Sequence, residues 1–151
     1  MTPQQRQPWS RRGAVPPALC AGIVAVAGCG GGGSSFASQA DAVCKAYNAK
    51  FSALPKPTAS TLTTYLDQGA ALLAQGTAKL KAIKPPSGKS AAYQSWLSAL
   101  DQELSVIRRA DATAKAGNLR GAVTQLQQQA PGVSSQAKTG AQALGLKECA
   151  A

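Results

Sequence analysis

The sequence predicts an all-α fold, an antiparallel up-and-down four-helix bundle closed by one disulfide, and three observations carry that expectation. Beyond residue 37, alanine, leucine, glutamine and lysine dominate, and runs of β-branched residues are absent. Pro55-Lys56-Pro57, Pro85-Pro86 and Gly117-Asn118 cut this stretch into four segments. Within each segment the apolar residues recur at alternating steps of about three and four, the period of a helix with one buried face.

The first helix is expected over 38–53, with Ala40, Val43, Tyr47 and Leu54 in phase and Phe51 beside them. The second, over 59–83, has Thr58 or Ser60 where a hydroxyl would cap the free first-turn amides. Its stripe is Leu62, Leu66, Gly69, Leu73, Gly76, Leu80 and Ile83, and the two glycines permit close approach of a neighbouring helix. The third, over 88–116 with Ser87 as N-cap, carries Tyr93, Leu97, Leu100, Leu104, Ile107, Asp111 and Ala114. The fourth, over 119–144 with Asn118 as N-cap, carries Leu119, Val123, Leu126, Ala130, Val133, Ala137, Gly140 and Leu144. This last stripe stays in phase through Pro131-Gly132, which predicts a kink and not a break.

Residues 1–28 read as an export signal, 29–36 as a modified cysteine with a Gly/Ser tether, and 37–151 as the bundle domain. Arg6, Arg11 and Arg12 form a positive n-region ahead of an apolar run over 14–27 that is too short for the about 20 residues a spanning helix needs. Val26-Ala27-Gly28-Cys29 ends the run. That ending resembles the lipobox of bacterial lipoproteins, an aliphatic residue and two small residues before a cysteine, with Val26 where leucine is commonest. The resemblance implies that Cys29 receives a diacylglyceryl group on sulfur and becomes the mature N-terminus, anchored to the extracytoplasmic face of the bacterial cell membrane. An ordinary secretory signal cut near Gly28 is the alternative. Ser10-Arg11-Arg12 leaves the twin-arginine route open beside the general one, although Gly13 and Ala14 stand where apolar residues would follow. The glycines at 30–33, with Ser34 and Ser35, read as a tether reaching on the order of 15 Å.

Of the four cysteines, Cys20 leaves with the signal and Cys29 is acylated on this reading, so Cys44 and Cys149 remain to pair in an oxidising compartment. The bridge would close a loop of 105 residues, worth about 4.7 kcal/mol as chain entropy. Helix parity agrees. Four antiparallel helices return both ends of the bundle to one pole, where Cys44 and Cys149 can meet, whereas three or five would hold them a helix length apart. A metal site is the competing use of two cysteines, but the chain has no histidine.

The same absence excludes a Ser-His-Asp triad and histidine-ligated haem or di-iron centres, so no cofactor, no metal and no enzymatic activity are expected. Residues 29–151 hold 13 basic and six acidic groups, a net charge of +7. That charge favours anionic lipid or wall polymer outside the cell, or serves as diffuse solubility charge. Nucleic acid is not an expected partner, because no basic cluster is interleaved with aromatics.

Asp111 is the one charge on a predicted seam. It is read either as paired with Arg108 or Lys115 at helical spacing or as a ligand contact near Tyr65 and Arg120. Trp96, Tyr93, Tyr47 and Phe51 are read as core, with a pocket lining as the alternative. The lipobox, the tether, the Ala-rich helices and the Gly-Leu-x-x-Cys ending together resemble the small helical lipoproteins of high-GC actinobacteria, a likeness that implies location and architecture and no activity. The expected function is a lipid-anchored interaction or scaffold module of the cell envelope. The alternative is a binding protein for a small apolar or anionic ligand held within the bundle.

Overall fold

The computed structural model describes residues 35–151 as four helices, α1 (Phe36–Ser52), α2 (Leu62–Lys81), α3 (Ser90–Lys115) and α4 (Leu119–Leu144), with no strand among the described residues. The expected export signal, lipobox and Cys29 lie outside the described residues.

Capping chemistry sets the starts. The Ser35 hydroxyl accepts from the Ser38 N–H at 3.2 Å, so α1 begins at Phe36, inside the segment read as tether. Asn118 caps α4 as expected, its Oδ1 accepting from the Gly121 N–H at 2.8 Å. The other expected caps do not form. The Thr58 hydroxyl is drawn into a turn with Ser60 and Thr61, which delays α2 to Leu62. Ser87 lies inside a turn in which the Lys89 N–H donates to the Pro86 carbonyl, and Gly88 takes a φ of 84° there. Pro131 sits inside an α4 that continues past it to Leu144.

The end of α4 explains the Gly-Leu-x-x-Cys sequence. Gly145 adopts the left-handed conformation at φ 80°, which sends the Leu146 N–H back to the Ala141 carbonyl at 2.9 Å. Leu146 is thereby folded into the core, 1% exposed. The chain then turns toward α1, and Cys149 bonds Cys44 with their Cα atoms 5.1 Å apart. Asp41 strengthens this junction by accepting from the backbone N–H groups of Lys147 and Glu148 at 3.2 and 2.9 Å. Asn48 adds a bond from its Nδ2 to the Glu148 carbonyl at 2.9 Å.

Two apolar clusters fill the bundle. The larger, at the disulfide pole, gathers Ala40, Leu80, Tyr93, Trp96, Leu97, Leu100 and Leu144. The smaller, at the opposite pole, gathers Leu66, Ala110, Ala114 and Ala122. Helix α3 packs against both α2 and α4, so Ala99, Val106 and Ala110 are buried outside its expected stripe. The buried line of α4 keeps Ala137 and Leu144 of the expected stripe and adds Ala122 and Ala141 beside it, while Val123 is 40% exposed against expectation. Small residues face α3 there, because its own face already supplies the large ones.

Surface pairs confirm an antiparallel register. Lys81–Asp101 and Lys115–Asp67 step equal distances in opposite directions along α2 and α3. Arg109–Gln129 and Thr113–Gln125 do the same along α3 and α4. Helix α1 lies on α2, where a Cβ on Gly76 would stand 3.2 Å from the Tyr47 ring and one on Gly69 3.6 Å from that of Phe51. Among neighbouring helices α1 and α4 approach each other least. The disulfide and tail bridge that gap at one end.

Candidate functional site

The gap becomes a slot of about 430 Å³ that all four helices line. Tyr47 and Phe51 of α1 wall one side, Leu72 and Leu80 of α2 and Leu100 and Ile107 of α3 form the floor, and Ala137 of α4 completes the lining, with Cys44 and Cys149 at one end. Aromatic residues read as core or pocket are therefore both: Tyr47 and Trp96 are buried and line the slot, whereas Tyr93 is core alone.

Local packing explains why Trp96 stands where it does. A Cβ on Gly140 would lie 2.9 Å from the Trp96 Cδ1, so the indole rests against the bare backbone of α4. Beside it Tyr93 is held by a hydrogen bond from its hydroxyl to the Leu80 carbonyl and by an edge-on contact with Phe36, ring centroids 5.0 Å apart. Burial pushes the Tyr93 phenol above its ordinary pKa of 10.0, so it stays a donor at neutral pH.

Two lining residues each bury a polar atom that lacks a partner. Trp96 Nε1 and Thr77 Oγ1 are buried and hydrogen-bonded to nothing, on residues 2% and 3% exposed. An unmet buried donor or acceptor costs about 1–3 kcal/mol. Charge is confined to the rim, where Glu103 accepts from the Ser134 hydroxyl and exposed Lys138 stands nearby.

The expected polar constellation at the other pole does not assemble. Asp111 Oδ2 accepts from Lys115 Nζ at 2.7 Å, the helical-spacing pair, and Lys115 also reaches Asp67 at 3.3 Å. Among the described residues no hydrogen bond or ion pair joins Asp111 to Tyr65 or Arg120. Tyr65 packs half-buried against the smaller apolar cluster and Arg120 is exposed. The hydrogen bond to Asp111 holds the Lys115 ammonium above its ordinary pKa, helped by Asp67. Asp111 Oδ1 remains buried without a partner, but no pocket adjoins it among those found. Among the described residues no group of three metal-ligating side chains comes together.

Sequence reasoning missed Thr77 and the role of Gly140. A threonine one place from the Leu73-Gly76-Leu80 stripe was the available signal for the first. Comparison of the chain with protein-family models, curated proteins and solved structures finds no match.

Proposed function

We propose that this chain is a lipid-anchored binding protein of the bacterial cell envelope that holds a small apolar molecule in the slot between its helices. The observation that carries this reading is the slot itself, lined mainly by apolar side chains from all four helices with its charged groups at the rim. Tyr47, Phe51, Leu72, Leu100 and Ile107 offer such a ligand apolar surface to bury. The slot volume falls within the range of about 300–1,000 Å³ typical of small-molecule sites.

Location follows from Val26-Ala27-Gly28-Cys29 at the end of the apolar run. Acylation at Cys29 would hold the domain at the outer face of the membrane, and no described helix is long and apolar enough to cross it. The net charge of +7 over 29–151 supports apposition to anionic head groups or wall polymers.

Native mass spectrometry of the full chain carrying Cys29→Ser tests the reading, since no covalent acyl group then adds mass. The expected spectrum shows one non-covalent adduct per chain, lost when Ala137→Phe fills the slot. A bare chain after gentle purification in lipid-containing extract, with the fold intact by circular dichroism, would contradict it.

A further inference from the structure

We propose that residues 147–151 form a strap across one end of the slot, latched by Cys44–Cys149, and that reduction of this bond by a dithiol opens the slot and releases its ligand. This rests on the ligand-binding reading above and concerns the regulation of the same slot.

The strap is rooted firmly at its start. Leu146 is 1% exposed and its N–H is held by the Ala141 carbonyl at 2.9 Å, so the chain up to that residue belongs to the core. Beyond it no helix continues, and Cys149 and Ala151 line the slot together with Cys44 of α1.

The ties that hold the strap differ in kind. Three are hydrogen bonds between exposed groups: the Lys147 and Glu148 N–H groups donate to Asp41, and Asn48 Nδ2 donates to the Glu148 carbonyl. Water replaces such bonds at little net cost. Apolar contact is small, since Cys149 and Ala150 are half-buried beside the larger cluster and Lys147, Glu148 and Ala151 are exposed. Among the described residues the disulfide is the one tie that water cannot replace, and it joins the strap to the helix whose Tyr47 and Phe51 wall the slot. Opening it frees strap and helix from each other at the gap between α1 and α4.

Both cysteines are half-buried, which leaves the bond within reach of a small dithiol. A thiolate of the dithiol attacks one sulfur and expels the other cysteine as a thiolate. The second thiol then resolves the mixed disulfide. The reductant leaves as its own cyclic disulfide, and Cys44 and Cys149 take up two electrons and two protons to become thiols. Linkage makes the effect reciprocal: the factor that reduction takes from ligand affinity is the factor by which bound ligand resists reduction of the bond.

Fluorescence titration with N-phenyl-1-naphthylamine, a neutral apolar fluorophore, tests the strap on the full chain carrying Cys20→Ser and Cys29→Ser, which leaves Cys44 and Cys149 as its cysteines. The oxidised chain should bind one probe, lost in Ala137→Phe, and reduction with dithiothreitol should weaken binding about tenfold while circular dichroism stays helical. Saturating probe should raise the ratio of reduced to oxidised dithiothreitol needed for half-reduction by the same factor. Asp41→Ala, which removes two of the strap's hydrogen bonds and leaves the latch closed, should speed probe dissociation about threefold. Equal affinity in the two redox states of a folded chain overturns the strap, as does a dissociation rate untouched by Asp41→Ala where reduction unfolds the bundle. Binding of no probe by the folded oxidised chain overturns the ligand-binding reading itself.

Discussion

Gly69 and Gly140 sit in two different settings along these helices, and the space beside each decides what a methyl group would do. A Cβ on Gly69 would meet the Phe51 ring at 3.6 Å, ordinary contact, whereas one on Gly140 would meet the Trp96 ring at 2.9 Å. Gly69→Ala should therefore stabilise the chain by about 0.5–1 kcal/mol through helix propensity. Gly140→Ala should destabilise it by about 1–3 kcal/mol, because a buried indole held on both sides cannot step aside. Urea unfolding of the two variants checks both, and equal effects would mean that Trp96 does not rest on α4. Tyr93 gives a second residue-scale test through pH. Its folded pKa lies above 10.0, so at alkaline pH the unfolded chain loses this proton first and the folded state binds more protons. Stability from Tyr93 is then complete below about pH 10 and is lost as pH rises through the folded value. Urea midpoints between about pH 9 and 11 should fall less steeply in Tyr93→Phe than in the parent. Much at this scale was legible in sequence, including the Asn118 cap and the glycines under Tyr47 and Phe51. Ser87 and Thr58 were not, since each enters a proline-linked turn whose geometry depends on where the next helix docks.

At the scale of elements, the breaks and stripes located all four helices because each apolar face must be buried against another helix. What the stripe could not give was the breadth of the faces of α3 and α4, which on α4 leaves Val123 exposed and buries Ala122 and Ala141 beside the expected line. A one-dimensional period records that a face exists, and the partner on its far side decides its width. Helix α1 is the element most dependent on tertiary ties. It packs along α2 but is held near α4 chiefly by the Cys44–Cys149 bond and by the bonds from Asp41 and Asn48 to the tail. Cys149→Ser should lower the thermal midpoint by several degrees, and hydrogen exchange should speed up in α1 more than in α3. Uniform acceleration across all four helices would show that α1 does not yield independently.

For the whole molecule, the fold class and the disulfide were both present in the sequence, since helix parity and two remaining cysteines point to the same arrangement. The slot was not. It arises where short α1 fails to close on α4, a relation between elements distant in sequence. Asp111 drew attention because charge on an apolar seam is conspicuous, yet its neighbour Lys115 satisfies one of its oxygens at helical spacing. Membrane attachment makes its own prediction: Cys29→Ser should abolish fatty-acid labelling, and equal palmitate incorporation in parent and variant would remove the anchor. The Trp96 indole N–H offers the most direct view of the slot. In a heteronuclear NMR titration of the full chain with cyclohexane, a small apolar probe, that resonance should shift as the slot fills, with the Thr77 and Leu72 amides shifting alongside. An indole resonance that stays fixed at saturation, while surface amides elsewhere respond, would contradict binding in the slot.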